Sequence, residues 1–136
     1  MRVEGSMQRS GKWWAIEVPL LGIFTQGRTR HEAFEMVRDA ARMLADDDGF
    51  NLELYLVSGE RFEVGCEDAA AFYAFVLRRQ RQARGLSLRD VSERLGMKSR
   101  NAYARYEQGR TVPTIQKFAE LLKAVNPSIE LVVRAG

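Results

Sequence analysis

The sequence predicts an α+β chain in two parts: an N-terminal β-β-β-α-β domain over residues 1–66, and an all-helical domain over 67–136 that ends in a short strand. Apolar residues alternate in the first part, as in half-buried strands, and recur at helical spacing in the second. Charge divides the same way. Residues 1–70 hold eight Lys/Arg and thirteen Asp/Glu, a balance of −5, whereas residues 71–136 hold thirteen and five, a balance of +8.

The first strands are predicted around residues 12–19. Trp14, Ile16 and Val18 fall on one face of this segment, with Trp13, Ala15 and Glu17 on the other. Residues 2–8 form a further strand that pairs with it, and residues 22–26 form the next strand after a tight connection.

One amphipathic helix follows these strands. Thr29 is its N-cap, Glu32 completes a capping box, and apolar residues recur at three- and four-residue steps through Ala45. Residues 46–49 (DDDG) end the helix. Residues 51–57 then form a strand, and residues 61–64 are expected to return as an edge strand.

The second part begins with a helix over residues 68–84, whose apolar stripe is followed by Arg78, Arg79, Arg81 and Arg84. These arginines favour contact with nucleic-acid phosphates. Residues 115–125 form the last helix. Residues 128–134 read as a strand without a partner in the domain, which predicts pairing with a second copy in a homodimer or a dimer of dimers.

Two short helices and a tight turn are predicted between residues 86 and 113. Ser87 caps the first helix and Asp90 closes a capping box, while Gly96 supplies the left-handed residue that stops it. Ser99 caps the second helix, which ends at Gly109 and buries two tyrosines, Tyr103 and Tyr106.

The order L-S-x-x-x-V-S-x-x-L-G, followed by a polar helix and E-x-G-R-x-x-P, resembles the Xre/Cro-type helix-turn-helix. The matching positions are Leu86, Val91, Leu95, Gly96, Glu107, Gly109 and Pro113. The segment after Gly96 is one residue longer than is usual in that family. The resemblance implies that residues 99–108 form the recognition helix of a double-stranded DNA-binding domain.

The outer side of this helix supplies the expected base contacts, because Arg suits guanine and Asn or Gln suits adenine. They are Arg100, Asn101, Ala104, Arg105 and Gln108. Neighbouring cations and hydroxyls are expected to hold phosphates, which position the domain without specifying sequence. These are Arg78, Arg79, Arg89, Lys98, Ser99 and Arg110.

Residues 14–33 read W-x-x-E-V-P-x-L-G-x-x-T-Q-G-x-T-x-x-E-A, which resembles the N-terminal domain of HicB antitoxins. That resemblance implies a partial ribonuclease-H-like fold that binds a small basic ribonuclease toxin. The negative balance of this domain suits such a partner. Trp13 and Glu17 are the candidate toxin contacts, although Trp13 could equally pack within the domain or in a homodimer.

The residues do not indicate an enzyme. Glu17 and Glu53 are isolated strand carboxylates, and the aspartates at 46–48 follow a helix C-terminus, which disfavours an Mg²⁺ site. His31 is the single histidine and Cys66 the single cysteine, so no cofactor or metal is expected. Apolar runs are far shorter than a bilayer span and no signal peptide is recognised, which predicts a cytoplasmic protein.

Together these features predict a HicB-like antitoxin that neutralises a ribonuclease toxin and represses its own operon. Two alternatives remain open. One is a stand-alone helix-turn-helix transcription regulator whose N-terminal domain only dimerises or senses a ligand. The other is an RNA-binding or residually nucleolytic relative of ribonuclease H.

Overall fold

The computed structural model describes the backbone of residues 1–136 and every side chain except that of Arg100. It divides into two compact units, Met1–Phe72 (unit 1) and Tyr73–Gly136 (unit 2). The strands are β1 (Val3–Ser10), β2 (Trp13–Val18), β3 (Ile23–Gly27), β4 (Leu52–Ser58) and β5 (Arg61–Cys66). The helices are α1 (Arg30–Ala45), α2 (Ala69–Ala83), α3 (Leu88–Arg94), α4 (Arg100–Ala104) and α5 (Ile115–Val125), with 3₁₀ turns at Pro19–Leu21 and Arg105–Gln108.

Unit 1 is an antiparallel five-stranded sheet, ordered β3-β2-β1-β5-β4, with α1 packed on one face. The predicted alternation in β2 is confirmed, because Ile16 and Val18 are buried while Ala15 is exposed. Val37 and Ala41 of α1 are fully buried. The helix cap is also confirmed, since the Thr29 hydroxyl oxygen accepts a hydrogen bond from the Glu32 backbone N–H.

One strand prediction in unit 1 was wrong. The segment expected as an edge strand, β5, lies inside the sheet between β1 and β4. The physical reason is the pairing of Phe62 with Gly5 across β1 and β5. Gly5 has no side chain, and a Cβ built there would lie 2.3 Å from the Phe62 ring, so this glycine leaves the space that the ring fills.

Unit 2 packs α2 from Tyr73 onward with α3, α4 and α5. Its core contains Val91, Tyr103 and Leu121, each fully buried. The Tyr73 and Phe118 rings add an aromatic contact with centroids 4.8 Å apart. The Asn126 amide, just after α5, donates a hydrogen bond of 3.0 Å to the Gln80 side chain and so ties the end of α5 to α2.

The strand predicted at residues 128–134 is not formed within the single chain, where residues 129–136 have no regular secondary structure. A strand needs hydrogen bonds from a neighbouring strand, and no strand of the described unit 2 offers an edge. Val132 and Val133 are 82% and 97% exposed. None of the helices, as far as their residues are described, has the length and apolar character required to span a membrane.

Candidate nucleic-acid interface

Helix α3 is fixed at both ends by the residues that the sequence indicated. The Ser87 backbone N–H donates to the Asp90 carboxylate and the Asp90 backbone N–H donates to the Ser87 hydroxyl, at 2.8 and 3.0 Å, which is the reciprocal capping box. Hydrogen bonding of the Asp90 carboxylate by the Ser87 backbone N–H, and then by the Ser87 side chain, lowers the pKa of Asp90. Gly96 (φ +68°) follows the helix in the left-handed region, as predicted.

The turn after α3 closes as a Schellman motif. The Met97 backbone N–H donates to the Ser92 carbonyl at 2.9 Å, and the Gly96 N–H donates to the Glu93 carbonyl at 3.1 Å. Lys98 and Ser99 then lead into α4. The longer segment after Gly96 therefore adds residues between a regular helix stop and a regular cap.

The second helix begins where the sequence predicts. The Ser99 hydroxyl oxygen accepts from the Asn101 backbone N–H at 3.1 Å. Helix α4 continues without interruption into the 3₁₀ turn Arg105–Gln108, and Gly109 (φ +69°) ends it. The predicted recognition segment is thus one helical rod whose second half is wound more tightly than an α-helix.

This rod is held in place by a buried ion pair between Arg81 and Glu107, which we call the brace. Arg81 of α2 donates through Nε and Nη2 to both carboxylate oxygens of Glu107, at 2.8 and 3.0 Å. Arg81 also donates to the Leu86 carbonyl at 2.9 Å. The two side chains are only 14% and 6% exposed. The prediction that Arg81 joins the phosphate-facing arginines was wrong, because its guanidinium is committed inside the unit.

Tyr103 lies beside this ion pair and is fully buried, as predicted. Among the described side chains, none forms a hydrogen bond of normal geometry with its hydroxyl, although the Glu107 carboxylate is close. Burial, and then the neighbouring Glu107 charge, raise the pKa of Tyr103 far above its usual range. The phenol is therefore neutral at every physiological pH. Tyr106, the other predicted core tyrosine, is half-buried.

The face of the rod opposite Tyr103 is open to solvent. Asn101, Arg105 and Gln108 are exposed, and Ala104 between them is half-buried. Steps of three and four residues align these positions on one side of a helix. Arg100, also predicted to contact bases, begins α4, and its side chain lies outside the described residues.

The predicted phosphate contacts fall into two environments. Lys98, Ser99 and Arg110 are exposed around the rod. Arg89 is 76% exposed on α3 and pairs with the equally solvated Glu93 at 3.1 Å. Arg78 and Arg79 are half-buried in α2. Burial lowers the pKa of Arg79, as does the charge of Arg78.

The candidate toxin contacts in unit 1 lie on the face of β2 that α1 leaves uncovered. Trp13 is 37% exposed. The Arg28 guanidinium carbon lies 5.4 Å from the centroid of its ring. Glu17 is half-buried and accepts a hydrogen bond from the Ser6 hydroxyl at 3.2 Å. The surroundings of Trp13 are therefore cationic, which the overall acidity of the domain did not indicate.

Polar groups elsewhere in unit 1 serve local structure. Asp46 adopts a left-handed conformation (φ +53°) at the end of α1, and Asp47 accepts from the Gly49 backbone N–H at 2.8 Å. The Cys66 thiol is free and half-buried, and burial raises its pKa. Across the described residues, no three His, Cys, Asp or Glu side chains come together in an arrangement that could hold a metal ion.

Comparison with known families agrees with the geometry of unit 2. Residues 73–133 match the family model described as a helix-turn-helix domain. Unit 2 is a helix-turn-helix domain. The match is to a DNA-binding class, and no catalytic family is indicated. None of the curated proteins compared with the chain matches it.

The feature of the helix-turn-helix domain that sequence reasoning missed is the brace. Arg81 and Glu107 are separated by 26 residues, so no local spacing indicates that they meet. A signal was nevertheless present. Glu107 is an acidic residue in an otherwise cationic region, on the side of the rod that carries Tyr103, where a buried carboxylate requires a cation.

Proposed function

We propose that this protein is a transcription regulator that reads double-stranded DNA with the exposed face of α4 and the following 3₁₀ turn. The observation that carries the proposal is the row of Asn101, Arg105 and Gln108, exposed on a rod that the buried Arg81–Glu107 pair holds in place. A bidentate reader must be held still, because a loose side chain loses the geometry that distinguishes one base from another.

Each side chain in the row has a base that it fits. Asn101, in the first turn of the rod, suits the N6/N7 edge of adenine, as does Gln108, while Arg105 suits guanine O6/N7. Arg100 precedes Asn101 at the same end and remains a proposed base contact. Lys98, Ser99 and Arg110 flank the row as proposed phosphate contacts, together with Arg89. Their role is to fix register along the groove.

A homodimer would present two such rods to one operator. Residues 128–134 support this proposal, because a segment rich in β-branched residues leaves Val132 and Val133 almost fully exposed in the single chain. Pairing with the same segment of a second copy would supply the missing backbone hydrogen bonds. The two rods would then meet half-sites about 34 Å apart.

We further propose that the protein is a HicB-like antitoxin, in which unit 1 has a partial ribonuclease-H-like fold and binds a small basic ribonuclease toxin. The resemblance of residues 14–33 and the balance of −5 in this unit support the proposal. The aspartates 46–48 are exposed where α1 ends and offer a cationic partner a complementary surface. Trp13 and Glu17 remain the named candidate contacts.

The test of DNA reading is selection of bound sequences from a random duplex pool, followed by binding assays with the selected operator. Asn101→Ala and Arg105→Ala should each relax the preference at one base position. Selection of the same sequences by the wild-type chain and by both variants would overturn the proposed contacts.

The antitoxin proposal is tested separately by co-expressing the chain with a small basic ribonuclease encoded beside its gene. The expected result is a stable complex in which ribonuclease activity is suppressed. Free ribonuclease alongside a chain that still binds its operator would favour the stand-alone regulator instead.

A further inference from the structure

The cations of unit 1 are of two kinds. Arg2, Arg38, Arg42 and Arg61 each form an ion pair with a carboxylate of the same unit. The other four cations of the unit form no ion pair with any described residue, although the unit holds thirteen Asp and Glu side chains. They are Arg9, Lys12, Arg28 and Arg30. Arg9 and Arg30 lie near the ring of Trp14, Arg28 lies near the ring of Trp13, and Lys12 precedes Trp13 in the chain. We call the group the arginine–tryptophan cluster: Arg9, Lys12, Trp13, Trp14, Arg28 and Arg30.

Strand register brings the cluster to one end of the sheet, where Trp14 and its partner Arg9 lie on the face that α1 covers and Trp13 lies on the opposite face. Arg9 of β1 pairs with Trp14 of β2, and Trp14 pairs with Gly27 at the end of β3. Arg28 comes directly after Gly27. Lys12 lies in the turn between β1 and β2, next to Trp13. All four cations are exposed to solvent.

The guanidinium groups lie against the indole rings. The Arg9 and Arg30 Cζ atoms are 5.7 and 5.0 Å from the centroid of Trp14, and that of Arg28 is 5.4 Å from Trp13. Arg9 and Arg30 are also steadied by hydrogen bonds to the Gly11 and Gly59 carbonyl oxygens, at 3.2 and 2.7 Å. The cluster therefore presents exposed guanidinium groups close to the indole rings.

This chemistry selects one class of partner. Unpaired guanidinium groups attract a polyanion, and indole rings with guanidinium planes are surfaces on which nucleic-acid bases stack. A duplex hides the faces of its bases, and an acidic peptide offers carboxylates without repeated flat rings. A single strand offers phosphates and free base faces together. We propose that the arginine–tryptophan cluster binds single-stranded nucleic acid.

The proposal goes beyond the proposed function and does not rest on it. It places a binding site for an anionic partner at the end of unit 1 where α1 begins. The exposed aspartates lie where α1 ends, about 24 Å away along a helix of 16 residues. A basic partner held at the aspartates would therefore use a different surface from a single strand at the cluster, whereas a partner that also contacts Trp13 would compete with the single strand.

The chain reports on this site without a label, because Trp13 and Trp14 are its two tryptophans. The full-length protein would be titrated with RNA and DNA single strands of mixed sequence, about twelve nucleotides long. The matching duplex and heparin, a polyanion without bases, would be titrated in parallel. We expect saturable quenching of tryptophan fluorescence by one or both single strands, and their relative affinities would tell RNA from DNA.

Three results of this titration would overturn the proposal. The first is the absence of saturable quenching with either single strand. The second is equal quenching by the duplex, which would make the cluster a contact to duplex phosphates. The third is equal quenching by heparin, which would make it a general polyanion surface. Where a single strand does quench the fluorescence, the variants Trp13→Phe and Trp14→Phe would show which indole is responsible.

Charge variants test the cluster independently of fluorescence. Lys12→Gln/Arg28→Gln removes two exposed cations for which no backbone hydrogen bond is seen. The variant should weaken single-strand binding roughly tenfold. It should also reduce the slope of log K against log salt concentration by about 1.4, because each lost phosphate contact reduces that slope by about 0.7. Operator binding should be unchanged. The matched control is Arg61→Gln, an exposed arginine of the same unit that is paired with Glu4, which should change single-strand binding less than about twofold.

The helix-turn-helix rod supplies the opposite control. Asn101→Ala/Arg105→Ala should weaken operator binding and leave single-strand binding intact. If this variant instead abolishes single-strand binding, or if Arg61→Gln weakens it as much as Lys12→Gln/Arg28→Gln does, the cluster is not the site and the proposal is wrong. Far-UV circular dichroism would establish that each variant is folded before its binding is compared.

Discussion

The two units use arginine in contrasting ways. In unit 1, the arginines that lack a carboxylate are exposed and lie against tryptophan rings. In unit 2, Arg81 is buried against Glu107, while Arg105 and Arg110 are exposed around the rod. The same residue type thus makes cation–π contacts, a buried ion pair or a candidate ligand contact. The partner of an arginine, more than the net charge around it, therefore indicates its role.

The largest expected effect comes from breaking the brace. Glu107→Ala leaves the Arg81 guanidinium buried without its carboxylate and should lower the free energy of unfolding of unit 2 by about 3–5 kcal/mol. Urea denaturation followed by circular dichroism measures this change.

Two further variants define the brace. Glu93→Ala breaks the exposed pair with Arg89 and should cost less than about 1 kcal/mol. Arg81→Met/Glu107→Leu removes both buried charges and should be less destabilising than Glu107→Ala. Equal losses for Glu107→Ala and Glu93→Ala would contradict the assignment of Arg81 as a buried brace.

The next effect separates base reading from phosphate contact. Asn101→Ala should weaken binding to the selected operator by about 1–3 kcal/mol and leave non-specific DNA nearly unaffected. Arg110→Ala should weaken binding to all duplexes alike and reduce the slope of log K against log salt concentration by about 0.9. Fluorescence anisotropy over a range of salt concentrations distinguishes the two patterns. Identical behaviour of the two variants would refute the division between the row and its flanking cations.

A smaller effect is expected at the hydroxyl beside the brace. Tyr103→Phe removes a buried hydroxyl that lacks a normal hydrogen bond, so unit 2 should be unchanged or stabilised by up to about 1 kcal/mol. A marked loss of stability in chemical denaturation would instead show that the hydroxyl is bonded to Glu107.

The same variant carries a pH prediction. Because burial raises the pKa of Tyr103 in the folded state, the unfolded chain loses this phenol proton first, so the free energy of unfolding declines as pH rises above the unfolded pKa of about 10. The wild type should therefore lose about 1.4 kcal/mol more per pH unit than Tyr103→Phe above pH 10. Parallel declines in the two proteins would mean that Tyr103 ionises as readily when folded.

The smallest effect concerns the cation–π contact between Arg28 and Trp13. Arg28→Gln removes an exposed cation–π contact with Trp13 and should cost unit 1 about 0.5–1 kcal/mol, measured by thermal unfolding. Arg61→Gln, which removes an exposed ion pair, should cost a similar or smaller amount. A loss of several kcal/mol for Arg28→Gln would mark the cluster as a structural support and weaken its assignment as a binding surface.

Local signals in the sequence were reliable guides. The caps at Thr29, Ser87 and Ser99, the left-handed Gly96 and the helix end at Gly109 were all predicted, because capping and turn chemistry act over a few residues. These signals indicated where the rod formed by α4 and the 3₁₀ turn begins and ends, and the family resemblance predicted that this rod contacts DNA.

Features made by distant residues were not predictable in the same way. The interior place of β5 depends on Gly5 meeting Phe62, and the brace joins α2 to the 3₁₀ turn. The arginine–tryptophan cluster needs three strands in register, because Arg9 pairs with Trp14 across β1 and β2, and Trp14 pairs with Gly27, the residue before Arg28, across β2 and β3. The C-terminal segment 128–134, predicted as a strand that pairs with a second copy, has no hydrogen-bonding partner within the single chain, and β propensity alone does not supply one.

The contact between Gly5 and Phe62 has a consequence for how such sequences can diverge. Any side chain at residue 5 would occupy the space of the ring, since even a Cβ atom would lie 2.3 Å from it. Homologues that carry alanine or a larger residue at this position should therefore carry a smaller side chain at the position of Phe62. Residues 5 and 62 should therefore covary. This covariation would identify the same strand pairing in relatives whose sequences are too different to align by motif.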